Sequence, residues 1–454
     1  MTPVQAAVAL YHRLIEADPG AAREQLEWFQ DAFRREGVTF DGVAMPSFLR
    51  PQFVGRADWD LLREQGRRLL ELAARVARHA FEGDVGRLCA FLGTPAAEAR
   101  WLAPDPGPPD VVLSRLDAFL TPDGPRFIEV NSDAPAGFGY GDRMARVYRD
   151  LPVFREFAGR QAVTYQASDE GLVRAVAGAR SGRAAGSGAG SGAGTPLVAI
   201  VDWAEVKTRA DQEILREAFL ARGFDCVLAD PRAMAVRQGR LWTPERAVDV
   251  VYRRAVLSEL VAHEAEVQAF LGAYRDRLCP FVNSLRCRLS EDKAFFAVLT
   301  DEAFGHLTTE DERAFVARAL PWTRKVEERR TIRDGREVDL VPHVLEHRDR
   351  LVLKPAHDYG GRSVFVGDET PAADWEAAVR AAIGSPWVVQ ERVTIPEEPF
   401  PAFEGGSLSF VPLKVNTNPF YVAGHEAGAV SRASRSSVIN VSAGGGSVPT
   451  FVID

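Results

Sequence analysis

Apolar residues recur at three- and four-residue spacing through the first hundred residues, most clearly in segments 6–15, 59–83 and 85–92. That spacing collects them on one face of an α-helix and leaves charged residues on the other. The pattern therefore predicts a helical N-terminal region over residues 1–110.

Two segments with strand-like patterning follow at 111–121 and 125–133, separated by Pro122-Asp123-Gly124. Proline presets one turn dihedral and glycine tolerates a positive one, so this arrangement predicts a β-hairpin. Because side chains alternate along a strand, Glu129 and Asn131 share one face, and Asp117 lies within reach across the hairpin. Two carboxylates and an amide are hard oxygen donors that suit Mg²⁺. The alternative is a strand pair with exposed polar residues.

From residue 195 onward, strand and helix patterns alternate. Strands are predicted at 197–203, 224–230 and 248–254, with a helix at 205–223 and a long helix carrying an apolar stripe over 257–278. This order predicts a small Rossmann-like α/β domain over 195–285. Arg253 and Arg254 end one of its strands. Since ligands of open α/β sheets bind beyond the carboxyl ends of strands, the two arginines are candidates for a substrate carboxylate; the alternative is solvated arginines.

The segment 181–194 is a Gly/Ser/Ala run that is typical of a flexible linker. Beyond residue 286, helix and strand patterns mix. A helix is predicted to open at Ser290, and a buried strand at 351–355 delivers Lys354 shortly before Gly360-Gly361. A glycine pair allows the backbone to turn close to a phosphate, although a strand with a tight turn and an exposed lysine gives the same pattern.

Composition narrows the class of protein. The chain has 454 residues, of which 46% are apolar and 26% charged, and its formal net charge is −8. This composition predicts a globular protein without a general affinity for nucleic acid or anionic membranes. The four cysteines show neither zinc-ligand nor disulfide spacing, and neither a signal peptide nor a membrane span is apparent. A cytoplasmic location is therefore predicted.

Residues 343–347 satisfy the zinc-binding pattern His-x-x-Glu-His, with His343, Glu346 and His347. The stretch is short, follows Pro342, and shows no third ligand downstream. We interpret the histidines as helix-face or packing residues.

The order of motifs resembles that of the circularly permuted ATP-grasp family, best known from glutathionylspermidine synthases. Asp117 and the stretch FIEVN at 127–131 form the acidic metal signature. It precedes the nucleotide signature LVLKPAHDYGG at 351–361 and the hinge WVVQERV at 387–393, whereas the metal signature usually comes last. The resemblance covers most of the chain and is strongest at 110–145, 281–299, 350–395 and 438–453.

The resemblance implies a role for each matching residue. Asp117, Glu129 and Asn131 would hold Mg²⁺, and Arg115 would stabilise the transition state. Phosphate binding would fall to Lys293 and Lys354. The resemblance also implies ATP contacts for the loop glycines Gly360 and Gly361 and for the adenine-reading segment at Gln390, Glu391 and Val393. Arg432 would contact phosphate or substrate; the alternative is a surface arginine.

The implied fold is α/β, with an α+β ATP-grasp core assembled from 286–454 and the hairpin segment 111–180. The implied activity is an ATP- and Mg²⁺-dependent ligase that joins a small-molecule or peptide carboxylate to an amine or thiol through an acyl phosphate. A phosphotransferase with the same site, or a nucleotide-binding scaffold without turnover, are the alternatives. No amidase activity is expected, because the N-terminal region contains only Cys89 and no amidase motif. A homodimer is compatible with the sequence.

Overall fold

The computed structural model of the protein describes residues 1–179, 195–357, 363–439 and 445–454. The predicted linker at 181–194 and the pair Gly360 and Gly361 lie outside the described residues. Within the described ranges, each helix is too short or too polar to cross a bilayer.

The α-helices of the described residues are α1 (Pro3–Ala17), α2 (Pro19–Arg35), α3 (Arg56–His79), α4 (Val85–Leu92), α5 (Ala96–Leu102), α6 (Phe138–Asp150), α7 (Pro152–Ala158), α8 (Asp169–Gly178), α9 (Arg209–Ala221), α10 (Leu257–Ala262), α11 (Gln268–Arg275), α12 (Cys287–Glu291), α13 (Phe295–Thr300), α14 (Glu310–Ala319), α15 (Leu340–Glu346) and α16 (Ala372–Ala382).

The strands are β1 (Thr39–Phe40), β2 (Val43–Ala44), β3 (Gln52–Gly55), β4 (Leu113–Thr121), β5 (Gly124–Asn131), β6 (Val163–Thr164), β7 (Leu197–Val201), β8 (Asp225–Ala229), β9 (Ala235–Arg237), β10 (Arg240–Trp242), β11 (Val250–Arg253), β12 (Phe281–Val282), β13 (Thr323–Lys325), β14 (Arg330–Arg333), β15 (Arg336–Asp339), β16 (Leu351–Pro355), β17 (Phe365–Val366), β18 (Trp387–Glu391), β19 (Glu397–Glu404), β20 (Ser407–Val422), β21 (His425–Ser434) and β22 (Gly446–Ile453).

The largest sheet joins the two ends of the chain. Its strand order is β3-β22-β21-β20-β4-β5, with β19 also pairing β20 and β6 also pairing β22. The predicted hairpin is confirmed as the antiparallel pair β4–β5, and β4 pairs antiparallel with β20. Strands from the first third of the chain thus complete a sheet whose other half is built by the last sixty residues.

The sequence predicted a helical N-terminal region, and helices α1 to α5 do form there, but the region also contains the strands β1, β2 and β3. Strand β3 lies at the edge of the large sheet and runs parallel to β22. Four residues are too few for a periodic signal, and the strand exists because its partner comes from the other end of the chain.

A second sheet has the parallel order β12-β11-β7-β8, and it contains the strands predicted between 197 and 254. The long helix predicted over 257–278 is wrong in detail, because it is divided into α10 and α11 by a short 3₁₀ turn at 264–266. The apolar stripe still packs inward, and Leu257, Leu260, Val267 and Phe270 are fully buried. We refer to this sheet with its helices as the α/β unit.

A third, antiparallel sheet has the order β13-β18-β16-β17. We call it the lid sheet; it packs on α15 and α16 around its own apolar cluster, which includes Leu353, Trp375 and Val389. The helix predicted to open at Ser290 is instead two short helices, with Ser290 inside α12. The break falls at Asp292, whose side chain accepts a hydrogen bond from the backbone N–H of Ala294 (2.8 Å). Lys293 is therefore presented from a turn between two helices.

Candidate active site

A cavity of about 490 Å³ is bounded by the large sheet, the lid sheet and the α/β unit. Most of the predicted site residues line it, although they come from both halves of the chain. They are Arg115, Asp117, Glu129, Asn131, Lys293, Lys354, Gln390, Glu391, Val393 and Arg432.

The hairpin builds the acidic wall of the cavity. Asp117 faces Glu129 across the two strands, and Arg115 faces Asn131 two pairs further along, on the same face. A bulge between Asp117 and Ala118 shifts the register just beyond this group. The strand periodicity therefore places the two carboxylates and the amide together, as the sequence predicted.

Asp117 is the centre of a buried hydrogen-bonded cluster. It accepts hydrogen bonds from Arg115 Nε (3.2 Å), Arg432 Nη1 (3.3 Å) and Asn131 Nδ2 (3.1 Å). Burial opposes ionisation of this carboxyl group, but the two guanidinium groups outweigh it, and the pKa of Asp117 is lowered. For Arg432, burial and the nearby Arg115 lower the pKa. Arg432 thus lies beside the acidic wall, not on the outer surface.

Glu129 forms an ion pair with Lys293, with 3.1 Å between Oε1 and Nζ. In the described part of the chain, no three His, Cys, Asp or Glu side chains form a ready metal cluster. The oxygens of Asp117, Glu129 and Asn131 nevertheless form the hard donor set that Mg²⁺ prefers when phosphates complete its shell. The donor chemistry of this set therefore fits Mg²⁺. In the structure, arginine and lysine side chains balance the charges of the two carboxylates.

Lys354 belongs to β16 of the lid sheet, and its side chain is buried. Its ammonium donates to Gln390 Oε1 (2.8 Å) and to the carbonyl of Ile128 (3.3 Å), and Gln390 Nε2 donates to Thr323 Oγ1 (3.0 Å). Burial lowers the pKa of Lys354 to about 8, against the opposing effect of Glu129. Gln390 therefore fixes the lysine with its side chain, a contact that the sequence did not indicate.

We expect the affinity for a non-hydrolysable ATP analogue to fall as the pH rises through about 8. Below that pH Lys354 already carries its proton; above it, binding must first take up a proton, which costs up to about tenfold in affinity per pH unit. Calorimetry from pH 7 to 9.5 measures this dependence. Lys354→Arg keeps its charge throughout and should show a flatter profile. If the affinity falls equally steeply with pH in both proteins, Lys354 is not the group whose titration controls nucleotide binding.

The hinge segment lines the cavity with Gln390, Glu391 and Val393. The carboxylate of Glu391 is paired with Arg126 (3.1 Å) and Arg333 (2.9 Å), and its backbone N–H donates to Trp322 O (2.8 Å). Val393 lies just beyond β18 and lines the cavity. The side chain of Glu391 thus anchors the hinge instead of reading a ligand.

Apolar side chains complete this part of the wall and would suit a planar base. Val352, Val364, Val366 and Ile395 line the cavity together with Val393. Adenine recognition remains a prediction for this segment.

Arg253 and Arg254 do not line the cavity, so the predicted contact with substrate needs correction. Both side chains are buried in ion pairs: Arg253 with Asp133 (2.6 Å) and Arg254 with Asp211 (3.3 Å). Arg254 also donates to the carbonyl of Pro135 (2.9 Å). The two arginines therefore hold the loop that follows β5.

Replacing Arg253 by methionine is expected to destabilise the protein by about 3–5 kcal/mol, because it leaves the buried carboxylate of Asp133 without its cation. Urea unfolding measures the change. Arg246→Met is the matched control, since Arg246 pairs with Asp225 on the surface and should cost less than about 1 kcal/mol. Similar losses of unfolding free energy in the two variants would show that the buried pair contributes no more to stability than the surface pair does.

Five further polar residues, which the sequence reasoning missed, line the cavity: Thr208, Glu291, Arg392, Asn416 and Ser437. Asn416 lies directly across from Arg432 in the β20–β21 pair, a neighbour that the sequence pattern alone does not reveal. Glu291 accepts hydrogen bonds from the backbone N–H groups of Ser132 (2.5 Å) and Asp133. Its pKa is raised by burial and by Asp133.

The His-x-x-Glu-His stretch lies on α15 and its C-terminal end, in the lid. The rings of His343 and His347 stack with centroids 4.3 Å apart, and His343 meets Trp322 edge-on. The interpretation of these histidines as packing residues is confirmed.

Comparison with known proteins places these observations in a family. Residues 207–434, half of the chain, match the family described as circularly permuted ATP-grasp type 2. A putative glutamate–cysteine ligase 2-3 of Frankia alni is 26% identical over 264 residues, which is 54% of this chain and 28% of that protein. A putative glutamate–cysteine ligase 2-2 of Frankia casuarinae is 25% identical over 370 residues, 75% of this chain and 38% of that protein. The chain thus spans about a third of the length of these curated relatives.

Among solved structures, a glutathione synthetase-like effector from Globodera pallida aligns with a TM-score of 0.60 at 14% identity. The alignment covers 96% of this chain and 98% of that one. This likeness confirms the predicted fold class.

Proposed function

This chain belongs to the circularly permuted ATP-grasp type 2 family, and from that premise we propose that it is an ATP- and Mg²⁺-dependent ligase. In this proposal it joins a carboxylate to an amine through an acyl phosphate. An ATP-consuming reaction draws on the nucleotide pool of the cytoplasm, which is where we propose that it runs.

One observation carries the proposal. Two carboxylates, an amide and Arg115 from the hairpin share one cavity with Lys293, Lys354 and Arg432 from distant segments. Oxygen donors suit the metal, lysines suit the phosphates, and guanidinium groups suit a developing oxyanion. A structural ion-pair network would not need all three classes of group on one cavity wall.

In the first step, a carboxylate oxygen of the acid attacks the γ-phosphorus of ATP and ADP leaves, which yields an acyl phosphate. Lys293 and Lys354 bind the phosphates and hold them in line with the attacking oxygen. Mg²⁺, held by Asp117, Glu129 and Asn131, would neutralise phosphate charge.

In the second step, the amine attacks the acyl carbon, and inorganic phosphate leaves with the bonding electron pair while the amine proton passes to solvent. The carbonyl oxygen becomes an oxyanion in this step, and Arg115 donates hydrogen bonds to it. The carbonyl of Ala136, which accepts from Arg115 Nη1 (3.0 Å), keeps the guanidinium oriented toward the cavity.

The names of the curated relatives suggest the first substrates to test, L-glutamate as the acid and L-cysteine as the amine. The assay supplies ATP, Mg²⁺ and each proteinogenic amino acid in turn as the acid, with hydroxylamine as a small nucleophile. Hydroxylamine converts an acyl phosphate to a hydroxamate, which a ferric colour test and mass spectrometry detect. We expect one acid to give ADP and hydroxamate in equal amounts, and an amine to replace hydroxylamine afterwards.

The rival functions predict other outcomes. A phosphotransferase would release ADP in the absence of both hydroxylamine and an amine, and it would leave a stable phosphorylated product. A nucleotide-binding scaffold would bind the ATP analogue but release no ADP with any acid. Either outcome overturns the ligase proposal.

A further inference from the structure

Asn416 is a buried polar residue of the cavity wall that none of the proposed steps uses. It lies on β20 and lines the cavity, and only 3% of the residue is exposed. Arg432 lies directly across from it on β21. Burying an amide costs free energy unless its polar atoms have hydrogen-bond partners. The partners of this side chain therefore indicate what it can bind.

The oxygen of the Asn416 amide already has a partner, whereas its nitrogen has none. Asn418, which shares this face of β20 and is fully buried, donates a hydrogen bond from Nδ2 to Asn416 Oδ1 (3.1 Å). In the part of the chain that the structure describes, no group accepts a hydrogen bond from Asn416 Nδ2, and this nitrogen is accessible from the cavity. Asn418 thus orients the amide so that its N–H groups face the ligand space.

A second asparagine of the cavity shows the opposite arrangement. Asn131 Nδ2 donates to Asp117 Oδ1 (3.1 Å) and to the carbonyl of Arg115 (3.3 Å), which leaves its oxygen for a ligand. An amide oxygen suits a cation, and Asn131 belongs to the donor set proposed for Mg²⁺. An amide N–H suits an acceptor such as an anion. The two asparagines therefore present complementary ends to one cavity.

Arg432 adds further donors beside Asn416. Its Nη1 donates to Asp117 Oδ2 (3.3 Å), and among the described residues no other group accepts a hydrogen bond from its guanidinium. Guanidinium and amide N–H groups are donors only, so the pair matches an anion that offers several oxygens. Because Arg432 contacts Asp117, this pair lies beside the place where metal-bound phosphate is proposed to lie.

The strand order separates the pair from the loop that orients Arg115. In the large sheet, the order β21-β20-β4-β5 places Asn416 and Arg432 on one side of Asp117, and Glu129 with the loop after β5 on the other. The carbonyl of Ala136 in that loop holds Arg115, the proposed donor to the acyl oxyanion. The reacting carboxylate is thus expected on the β5 side, which leaves the β20 side to the phosphate chain.

We propose that Asn416 binds the phosphate chain of ATP, with Nδ2 donating a hydrogen bond to a non-bridging oxygen that Arg432 also contacts. Asn418 is the positioning residue that orients the amide. The inference rests on the proposed ATP-dependent function and deepens it. It adds a neutral, directional phosphate contact to the charges of Lys293 and Lys354.

The test uses two probes, a non-hydrolysable ATP analogue and inorganic tripolyphosphate, each titrated with Mg²⁺ in a calorimeter. Asn416→Ala is expected to raise Kd for both probes about 10- to 100-fold, the range for one hydrogen bond to a charged group. Asn416→Asp should bind both probes more weakly than Asn416→Ala does, because its carboxylate repels phosphate and pairs with Arg432.

Asn416→Asp also keeps the test decisive if Asn416→Ala folds poorly, because aspartate has nearly the same size and still accepts the hydrogen bond from Asn418. Thr417→Val is the matched control. Thr417 is the next residue of β20 and only 2% exposed, but its side chain lies on the opposite face of the sheet, outside the cavity. This variant should bind both probes as the wild type does.

The outcomes separate this inference from the function on which it rests. If the wild-type protein neither binds the analogue nor releases ADP with any acid, the proposed function fails. If the wild type binds the analogue and both Asn416 variants bind as tightly, only the role of Asn416 is overturned. A loss with the analogue that tripolyphosphate does not share would assign the amide to the sugar or the base. A wild type that binds the analogue but no tripolyphosphate would likewise contradict the phosphate contact.

Discussion

Replacing Arg115 by alanine is expected to lower product formation about a hundred- to a thousandfold, the usual effect of removing one preorganised donor from an oxyanion. The affinity for the ATP analogue should change little, because Lys293 and Lys354 remain, and Mg²⁺ should bind equally well or more tightly, because Asp117 loses one of its two arginine partners. Turnover is measured as hydroxamate and ADP per folded molecule, and analogue binding by calorimetry on the same preparation.

Arg115 also has a structural role that the experiment must separate. Its guanidinium donates to Asp117 and to the carbonyl of Ala136, so its loss could loosen the hairpin and the loop beyond it. Arg143→Ala is the matched control, since Arg143 is similarly covered and paired with Glu36 but lies outside the cavity. A variant of Arg115 that melts lower yet turns over normally per folded molecule would end the catalytic assignment.

The hairpin was predictable because its information is local. Pro122-Asp123-Gly124 fixes the turn, and a period of two then determines that Asp117, Glu129 and Asn131 share a face. Lys293 and Lys354 could be assigned to the site only through the resemblance to a family. The sequence alone does not indicate that a turn at 293 and a strand at 354 lie next to the hairpin. The structure brings them together through contacts that join distant segments.

Arg253 and Arg254 show that the position of a residue at the end of a strand can suggest ligand binding where there is none. A location at the carboxyl end of a parallel strand favours ligand binding, but it does not say whether another segment already occupies that space. Here the loop after β5 fills it, with Asp133 and Pro135 as the partners. Buried arginines of this kind can be identified only when partners such as Asp133 and Pro135, more than a hundred residues away in the sequence, are placed.

Glu291 and Asn416 were missed for the opposite reason. Each stands in an ordinary local context, one at the end of a short helix and the other in a long strand. Only the assembled cavity shows that they line it. Strand β3 was missed in the same way, because its pairing with β22 depends on the two ends of the chain meeting.

The wall of the cavity balances its own charges before any ligand binds. The carboxylates that would hold the metal are paired with Lys293, which would hold phosphate, and with Arg115 and Arg432. Bound nucleotide and metal would exchange partners with these pairs, so neither set of charges is left buried and uncompensated at any stage. Mutating one member should therefore alter binding of the complementary ligand as well.

This reasoning gives the second large effect. Glu129→Gln is expected to lower Mg²⁺-dependent ADP formation roughly a thousandfold, because metal neutralisation of the transition state is worth several kcal/mol. The same variant releases Lys293 from its ion pair, so binding of the ATP analogue in the presence of a chelator should be unchanged or tighter.

Turnover should therefore fall while analogue binding without Mg²⁺ is kept or strengthened, whereas a damaged fold would weaken both. Calorimetry with the analogue, with and without Mg²⁺, should show that the metal no longer strengthens binding. Glu312→Gln is the matched control: Glu312 has nearly the same exposure as Glu129 and pairs with Arg75, but it lies on α14, outside the cavity. It should behave as the wild type does. If Glu129→Gln instead weakens analogue binding without Mg²⁺ and keeps its metal dependence, Glu129 serves only to position Lys293, and the metal must be held by other groups.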